Sequence, residues 1–299
     1  MKTLCADLGG TRLKLAAVEN GVVVENEVSP IDTNAGMDNV LANLATRCKA
    51  MMERHPDGEW KGIGIAFPGV LDERSRHVLY CSGKYAGADR IDLPKWAMDT
   101  LGLDMKLVND ARAAIIGEIN YGSAMGETDA VMLIIGTGIG TAAVCQGKVY
   151  RGKHGMAGLL GGHFSIDFDN GRNCICGHSG CLEAYAGTWA LKELAEDKSY
   201  DFAKLERDYF AGDAKAKRLF DIQAKALGAG AVSLVHAFDA ETVIFSGGGS
   251  RFGALLESAE KYILDHAWTP WGKVKFIVAQ HPEDSVVLGL YSLFVHHVC

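Results

Sequence analysis

The chain has 299 residues, 48% of them hydrophobic, which is enough to bury a large core and to form two lobes. Its net charge of −7 and the scattered placement of its 30 basic residues exclude the concentrated basic surface of a nucleic-acid-binding protein. No apolar run is long enough for a membrane span, and the first residues lack a signal-peptide pattern. These features predict a cytoplasmic protein without nucleic-acid or membrane partners, whose cysteines are thiols or metal ligands rather than disulfides.

The order of strand, glycine turn and strand occurs twice along the chain. Residues 1–28 and residues 130–153 each contain an apolar strand, a glycine turn, a second apolar strand, a short turn and a third strand. This repeat predicts two lobes of related structure whose glycine turns face each other.

The remaining segments alternate between helical and strand patterns. The spacing of apolar residues predicts helices in 34–55, 110–122, 189–238, 252–267 and 282–298, and buried strands that end in glycine turns in 61–72 and 241–250. This alternation predicts an α/β fold. We place a small lobe at 1–109, with a C-terminal helix at about 284–299 packing back on it, and a large lobe at 110–283.

Three glycine turns, each after an apolar strand, are candidate phosphate-binding loops. Glycine allows the backbone to approach closely, so that peptide N–H groups converge on phosphate oxygens. A single glycine pair is more often a tight turn, but three such turns favour phosphate binding. Neither a P-loop nor a Rossmann motif is present, because the spacing differs and a strand pattern follows the second turn. The candidate residues are Gly9, Gly10, Thr11, Gly136, Thr137, Gly138, Gly140, Gly247, Gly248 and Gly249.

Asp7 lies at the end of the first strand, directly before the first glycine turn. A carboxylate in this place can hold a hydrated Mg²⁺ that bridges nucleotide phosphates. It can equally cap the turn by hydrogen bonding to the backbone. The position alone leaves both roles open.

Six motifs together resemble the ROK family of repressors, open reading frames and sugar kinases. In chain order they are ADLGGTRLKLA, GIGIAFPGVLD, VNDARAAIIGE, IGTGIGTAAVCQGKVYRG, CICGHSGCLE and VIFSGGGS. The resemblance implies the two-lobed actin-like ATPase fold, similar to ribonuclease H, with a mixed sheet and flanking helices in each lobe and a cleft between them. Repressors of the family carry a winged-helix domain before the first motif. Only six residues precede Asp7 here, so a sugar kinase is expected.

The resemblance also implies an activity and the residues that perform it. ATP, with Mg²⁺ held at Asp7, donates its γ-phosphoryl group to a sugar hydroxyl, usually the 6-OH of a hexose. Asp110 corresponds to the general base of the family, although its position also suits a helix N-cap, where the ionised carboxylate would be stabilised. Asn109, His163 and Glu183 correspond to residues that contact the sugar. The family's oligomers imply a homodimer or homotetramer, between which the sequence does not decide.

Three cysteines and a histidine form the most specific of these motifs. His163, Cys174, Cys176 and Cys181 have the spacing H-x₁₀-C-x-C-x₄-C, and their ligand atoms suit a four-coordinate structural zinc. A redox pair is less consistent with this spacing. His178 lies within the cluster, but the family pattern selects His163. All four positions on the metal would be filled, so a zinc ion would stabilise the loop rather than activate water.

Two segments depart from the family and leave the substrate open. The family reads E-x-G-H before the zinc histidine, whereas this chain has Leu159 and Leu160 in that region and no glutamate. Loss of a hydroxyl acceptor changes sugar specificity. The loop at 80–96 also differs, leaving as unassigned candidates Ser82, Lys84, Tyr85 and Asp89. Glucose is the default substrate, with N-acetylmannosamine, fructose, allose or another sugar as alternatives. A non-catalytic sugar-binding regulatory protein is the alternative from another class.

Overall fold

The computed structural model describes residues 1–81 and 83–296. Ser82 and the end of the predicted terminal helix lie outside these ranges. Contacts divide the chain into two units. Unit 1 contains Met1–Met125, Arg151–Met156 and the C-terminal segment from Glu283, whereas unit 2 contains Gly126–Tyr150 and Ala157–Pro282. None of the helices in the described ranges has the length and apolar character needed to span a membrane.

The described residues of unit 1 form a five-stranded sheet, a two-stranded hairpin and four α-helices. In chain order its elements are β1 (Lys2–Leu8), β2 (Arg12–Glu19), β3 (Val22–Pro30), α1 (Met37–Arg54), β4 (Trp60–Phe67), β5 (Val70–Asp72), β6 (His77–Tyr80), α2 (Leu93–Leu101), β7 (Met105–Asn109) and α3 (Asp110–Tyr121). The C-terminal helix, α9 (Pro282–Val295), also belongs to unit 1 except for its first residue.

Unit 2 contains a second five-stranded sheet and five helices. Its elements are β8 (Ala130–Ile135), β9 (Ile139–Cys145), β10 (Lys148–Val149), α4 (Glu183–Ala186), α5 (Thr188–Leu194), α6 (Phe202–Phe210), α7 (Ala214–Phe238), β11 (Thr242–Ser246), α8 (Gly253–His266) and β12 (Lys275–Val278). Aspartates cap three helices of the chain at their first turns, namely Asp92 for α2, Asp201 for α6 and Asp213 for α7.

The two large sheets have the same topology. The strand order is β3-β2-β1-β4-β7 in unit 1 and β10-β9-β8-β11-β12 in unit 2. In each sheet the first three strands form antiparallel pairs and the last three form parallel pairs. The glycine turns 9–11 and 136–138 join equivalent strands, β1 to β2 and β8 to β9. The repeat predicted from the sequence is therefore confirmed.

The predicted boundary at residue 109 differs from the division by contacts, because α3 belongs to unit 1. Gly117 and Gly289 allow α3 and α9 to approach closely. A Cβ atom on Gly117 would lie 1.9 Å from the carbonyl oxygen of Ser285, and one on Gly289 would lie 1.8 Å from that of Ala113. Helix α3 is thus packed into the unit that contains the C-terminal helix.

Helix α7 supports the segment that precedes α4. Gly230 lies against the side chain of Leu182, whose Cδ2 atom would be 2.3 Å from a Cβ atom on this glycine. Leu182 itself is fully buried, and it immediately precedes Glu183, the first residue of α4. The close contact between α7 and Leu182 therefore fixes the position at which Glu183 begins its helix.

A buried ion-pair network joins three segments of unit 1. Glu73, after β5, accepts hydrogen bonds from Arg112 of α3 at 2.8 Å and from Arg151 at 2.6 Å. The side chains of Arg112 and Glu73 are 1% and 9% exposed. Burial lowers the pKa of Arg112, and the negative charge of Glu73 opposes that shift. Glu73 therefore compensates the charge of an arginine that is largely removed from water.

Replacing Glu73 by alanine is expected to lower the free energy of unfolding by about 3 kcal/mol, because Arg112 loses its compensating carboxylate. Urea denaturation at pH 7 measures the loss. The control is Asp104→Asn, which breaks the exposed ion pair between Asp104 and Arg76 and should cost less than about 1 kcal/mol. Equal losses in the two variants would contradict a structural role for the buried network.

Candidate active site and metal centre

Two acidic side chains lie at one edge of the unit 1 sheet. Asp7 is near the end of β1, Asp110 directly follows β7, and both strands run parallel to β4 between them. Burial raises the pKa of Asp7 to about 7, with a further contribution from the negative charge of Asp110, whereas Lys14 opposes the rise. Carboxyl ends of parallel strands are the usual position of ligand sites in open α/β sheets. The edge therefore combines two carboxylates, and the positive charge of Lys14 only partly offsets the pKa rise at Asp7.

The N-cap of α3 is Asn109, and Asp110 is the first residue of the helix. The Asn109 Oδ1 accepts hydrogen bonds from the N–H groups of Ala111 at 2.9 Å and Arg112 at 3.4 Å, and its Nδ2 donates to the Gly69 carbonyl at 3.2 Å. The capping role considered for Asp110 therefore belongs to Asn109, which is 7% exposed. The side-chain amide of Asn109 also hydrogen-bonds the Asp110 carboxylate, which acts to lower the pKa of Asp110.

Burial raises the pKa of Asp110, in contrast to the net stabilisation of its ionised form expected at a helix N-terminus. The expected interaction is present, because Oδ1 accepts a hydrogen bond from the N–H group of Ala111 at 2.8 Å, and it acts to lower the pKa. Removal of the carboxylate from water has the larger effect. A carboxylate with a raised pKa is a stronger proton acceptor, as a general base requires.

The first glycine turn is closed by the backbone and contacted by the loop that follows β6. The N–H group of Gly9 donates to the Arg12 carbonyl at 2.9 Å, and the Tyr85 hydroxyl donates to the Gly9 carbonyl at 2.5 Å. The ammonium group of Lys84 lies beside Gly10. Thr11, at the tip, is exposed. The unassigned loop thus supplies two side chains to the turn predicted to bind phosphate.

The second and third glycine turns line one cavity of about 480 Å³ in unit 2. Gly136 and Thr137 lie on one side, and Gly248 and Gly249 lie on the other. The remaining lining residues are Ile135, Thr188, Asp201, Phe202, Ala203, Glu206, Arg251 and Phe252. The volume is in the range of small-molecule and cofactor sites. Gly138, Gly140 and Gly247 are outside the lining, so four of the seven glycine-turn residues predicted in unit 2 line this cavity.

The cysteine motif brings four potential metal ligands together in unit 2. One ligand atom from each of His163, Cys174, Cys176 and Cys181 lies within 4.8 Å of all the others. The His163 Nδ1 atom is 3.7 Å from the Cys174 sulfur, and the sulfurs of Cys176 and Cys181 are also 3.7 Å apart. In a tetrahedral zinc site, two ligand atoms that each lie about 2.3 Å from the metal are about 3.8 Å from one another. The spacing and the ligand types fit a structural zinc ion.

The backbone of the cysteine loop is held by hydrogen bonds near the cluster. The N–H group of Cys174 donates to the His178 carbonyl at 2.8 Å, and residues 165 and 181 form an isolated β-bridge. His178 thus contributes its main chain to the loop, and its side chain is not among the four clustered ligands. Selection of His163 over His178 agrees with this arrangement.

Glu183 links the cysteine loop to the second glycine turn. Its Oε2 atom accepts a hydrogen bond from the N–H group of Ile139 at 2.9 Å, and Oε1 accepts one from the indole of Trp189 at 3.2 Å. The residue is 7% exposed and begins α4 two positions after Cys181. Sequence reasoning predicted a sugar contact and missed this link to the turn. The position of Glu183 shortly after the cysteines was the available signal.

The loop that lacks the family glutamate is fixed by Thr141. Its hydroxyl donates to the Gly158 carbonyl at 2.6 Å and accepts from the N–H group of Gly161 at 2.9 Å. Leu160, between these two contacts, is 41% exposed. Thr141 itself is fully buried, so its hydroxyl serves this loop rather than a ligand.

The predicted residues therefore form three groups. Asp7, Asp110, Asn109 and the first glycine turn are together in unit 1. In unit 2, two glycine turns share a cavity, and the metal cluster is connected to one of them through Glu183. Residues missed from sequence include Thr188, which donates from its N–H and hydroxyl groups to Gly136, and Trp189. A hydroxyl residue at a helix start was the only signal for Thr188.

A family model described as the ROK family matches residues 3–297. The chain therefore belongs to the ROK family and has the actin-like ATPase fold. It is 28% identical to a glucokinase of Thermotoga maritima, over 100% of this chain and 98% of that protein. It is 26% identical to a xylose repressor of Bacillus subtilis, over 93% of this chain and 72% of that protein. The crystal structure of a ROK hexokinase from Thermus thermophilus is 31% identical, has a TM-score of 0.80 and shares 97% of this chain and 96% of its own.

Proposed function

We propose that this protein is an ATP-dependent sugar kinase that transfers the γ-phosphoryl group of ATP to a hexose hydroxyl, with the 6-OH as the expected acceptor. The observation that carries the proposal is the pair of carboxylates, Asp7 and Asp110, beside a glycine turn at one sheet edge. Similarity to a glucokinase and to a ROK hexokinase over nearly the whole chain supports it.

Asp110 acts as the general base in this proposal. Its carboxylate orients the sugar hydroxyl and accepts its proton as the new bond to phosphorus forms and the bond to ADP breaks. Its raised pKa favours acceptance of that proton. Asp7 provides a hard oxygen donor whose pKa is raised by burial and, to a lesser extent, by the negative charge of Asp110. Such a carboxylate suits a divalent cation. When bound, Mg²⁺ would neutralise charge on the phosphates.

The cavity in unit 2 is the proposed nucleotide site. The backbone N–H groups of its two glycine turns suit phosphate oxygens. Phe202 and Phe252 supply apolar surface for the aromatic base of the nucleotide. Asn109, His163 and Glu183 are proposed sugar contacts. Asn109 and Glu183 already have protein partners, so each has limited capacity for a further hydrogen bond.

A sugar-binding regulatory protein without catalysis is the second candidate. Similarity to a xylose repressor and the absent E-x-G-H glutamate favour it. The carboxylate pair favours the kinase, because binding a sugar alone does not require two adjacent acidic groups at the phosphate turn.

A sugar panel separates the two functions. We expect ADP release with Mg-ATP for at least one sugar among hexoses, N-acetylhexosamines and disaccharides, measured by a coupled assay and by mass spectrometry of the phosphorylated product. Sugar binding by calorimetry, without turnover for any bound sugar, would contradict the kinase and support the regulatory protein. Glucose is the default substrate in this panel. Because the family glutamate is absent near Leu159, we expect altered discrimination among sugars that differ from glucose near the anomeric end.

A further inference from the structure

The loop after β6 holds Tyr85 in a conformation that is unfavourable for a bulky residue. Its φ angle is 54°, in the left-handed region. Three interactions compensate: the N–H group donates to the Thr33 carbonyl at 2.9 Å, the hydroxyl donates to Gly9 at 2.5 Å, and the ring packs on Phe67 with centroids 4.8 Å apart. Backbone strain maintained by surrounding contacts is common at functional sites.

This conformation fixes the residue before Tyr85 over the phosphate turn. A Cβ atom on Gly10 would lie 2.6 Å from the Nζ atom of Lys84. The ammonium group therefore occupies the space beside the turn that a side chain at residue 10 would fill. Tyr85 is 1% exposed and anchored to Gly9, whereas Lys84 is exposed. A buried anchor thus presents a solvent-accessible cation at the Gly9–Gly10 turn.

Lys84 and Asp110, the proposed base, both influence the pKa of one nearby side chain. Cys81 lies in the same loop, and burial raises the pKa of its thiol. The positive charge of Lys84 opposes this rise, and the negative charge of Asp110 adds to it. Both charges are therefore within electrostatic range of one side chain. A phosphoryl group beside the glycine turn and facing Asp110 would also be within reach of the Lys84 ammonium.

We infer that Lys84 is a catalytic residue whose ammonium group binds the γ-phosphoryl oxygens at the Gly9–Gly10 turn. This role rests on the proposed kinase function. As the sugar oxygen bonds to phosphorus and the bond to ADP breaks, negative charge accumulates on the departing and transferred oxygens, and the fixed cation stabilises it. Lys84 takes no part in proton transfer, and the proton of the hydroxyl goes to Asp110.

The test compares nucleotides that differ by the γ-phosphate. Calorimetry in the presence of Mg²⁺ measures the affinities of wild type, Lys84→Met and Lys95→Met for ADP and for the non-hydrolysable ATP analogue AMPPNP. We expect Lys84→Met to lower the affinity for AMPPNP about 10–100-fold and to change the affinity for ADP less than about twofold. Lys95, an exposed partner of Asp99 on α2, is the matched control and should change neither. With the preferred sugar saturating, kcat of Lys84→Met should fall about 10²–10³-fold, with partial recovery in Lys84→Arg.

Each other outcome identifies what has failed. Equal weakening of ADP and AMPPNP, or unchanged binding of both, would overturn the role of Lys84 and leave the kinase intact. A higher KM for sugar with unchanged kcat and AMPPNP affinity would assign Lys84 to the sugar instead. A wild-type protein that binds neither nucleotide would overturn the proposed kinase function together with this role.

Discussion

The Asp110→Asn variant is expected to lose turnover about 10²–10⁴-fold and, at the same time, to unfold at a higher temperature. The loss follows from removing the group that is proposed to accept the sugar proton. The gain follows from the cost of holding two charged carboxylates in one partly buried edge. Burial raises the pKa of both Asp110 and Asp7, and the charge of Asp110 contributes to the shift at Asp7.

The stability effect has a defined pH dependence. A carboxyl group whose pKa is raised by folding destabilises the native state when it is ionised, and the cost disappears as pH falls below its unfolded value. For Asp7 this window extends from about 7 down to its ordinary value of 3.8. In metal-free protein we expect Asp110→Asn to gain on the order of 1–2 kcal/mol at pH 8, or about 2–7 °C, and progressively less towards pH 4.

The measurements are coupled ADP release with the preferred sugar and thermal unfolding across pH without Mg²⁺ or nucleotide. Glu53→Gln, which neutralises an exposed carboxylate on α1, is the control and should alter neither property. AMPPNP affinity should persist in Asp110→Asn. Normal turnover would exclude Asp110 as the base, and a lower unfolding temperature would contradict the electrostatic cost.

The sequence predicted the fold well because its evidence was local. The repeated strand–glycine turn–strand pattern, the helical spacing in α1, α7 and α8, and the zinc spacing each depend on residues close in the chain. The contact division departs from the predicted boundary at residue 109, because the packing of α3 depends on Gly117 meeting α9, more than 150 residues away. A glycine within a helix indicates a close approach but not its partner.

The residues of the candidate site stay a prediction, and only the structure gives their contacts. Asn109 and Asp110 are adjacent, and both are residue types that cap helices, so composition could not assign the cap between them. The link from Glu183 to Ile139 joins residues 44 positions apart, and no local pattern reports it. Lys84 and Tyr85 were only unassigned candidates, because the left-handed conformation of Tyr85 is imposed by tertiary contacts.

Loss of zinc is expected to destabilise unit 2 and to weaken nucleotide binding at a distance from the metal. Cys181 is a proposed ligand, Glu183 begins α4 two residues later, and the Glu183 carboxylate accepts the N–H group of Ile139 beside the second glycine turn. Disordering the cysteine loop would therefore release a hydrogen bond that shapes the proposed phosphate site. We expect Cys181→Ser to lose zinc and to lower the free energy of unfolding by roughly 4 kcal/mol. The affinity for ADP should fall about 10-fold.

Metal analysis, thermal unfolding and ADP calorimetry test this coupling. Cys145→Ser is the matched control, because Cys145 is a partly exposed thiol of unit 2 outside the four-ligand cluster, and it should retain about one zinc per chain and normal ADP affinity. Without metal, burial and the neighbouring thiols raise the pKa of Cys181 to about 12. Zinc binding must therefore release the thiol proton, and we expect zinc to be lost more readily as pH falls. Fully stable wild-type protein without zinc would exclude a structural metal. Zinc loss with unchanged ADP affinity would show instead that Glu183 holds the glycine turn independently of the metal.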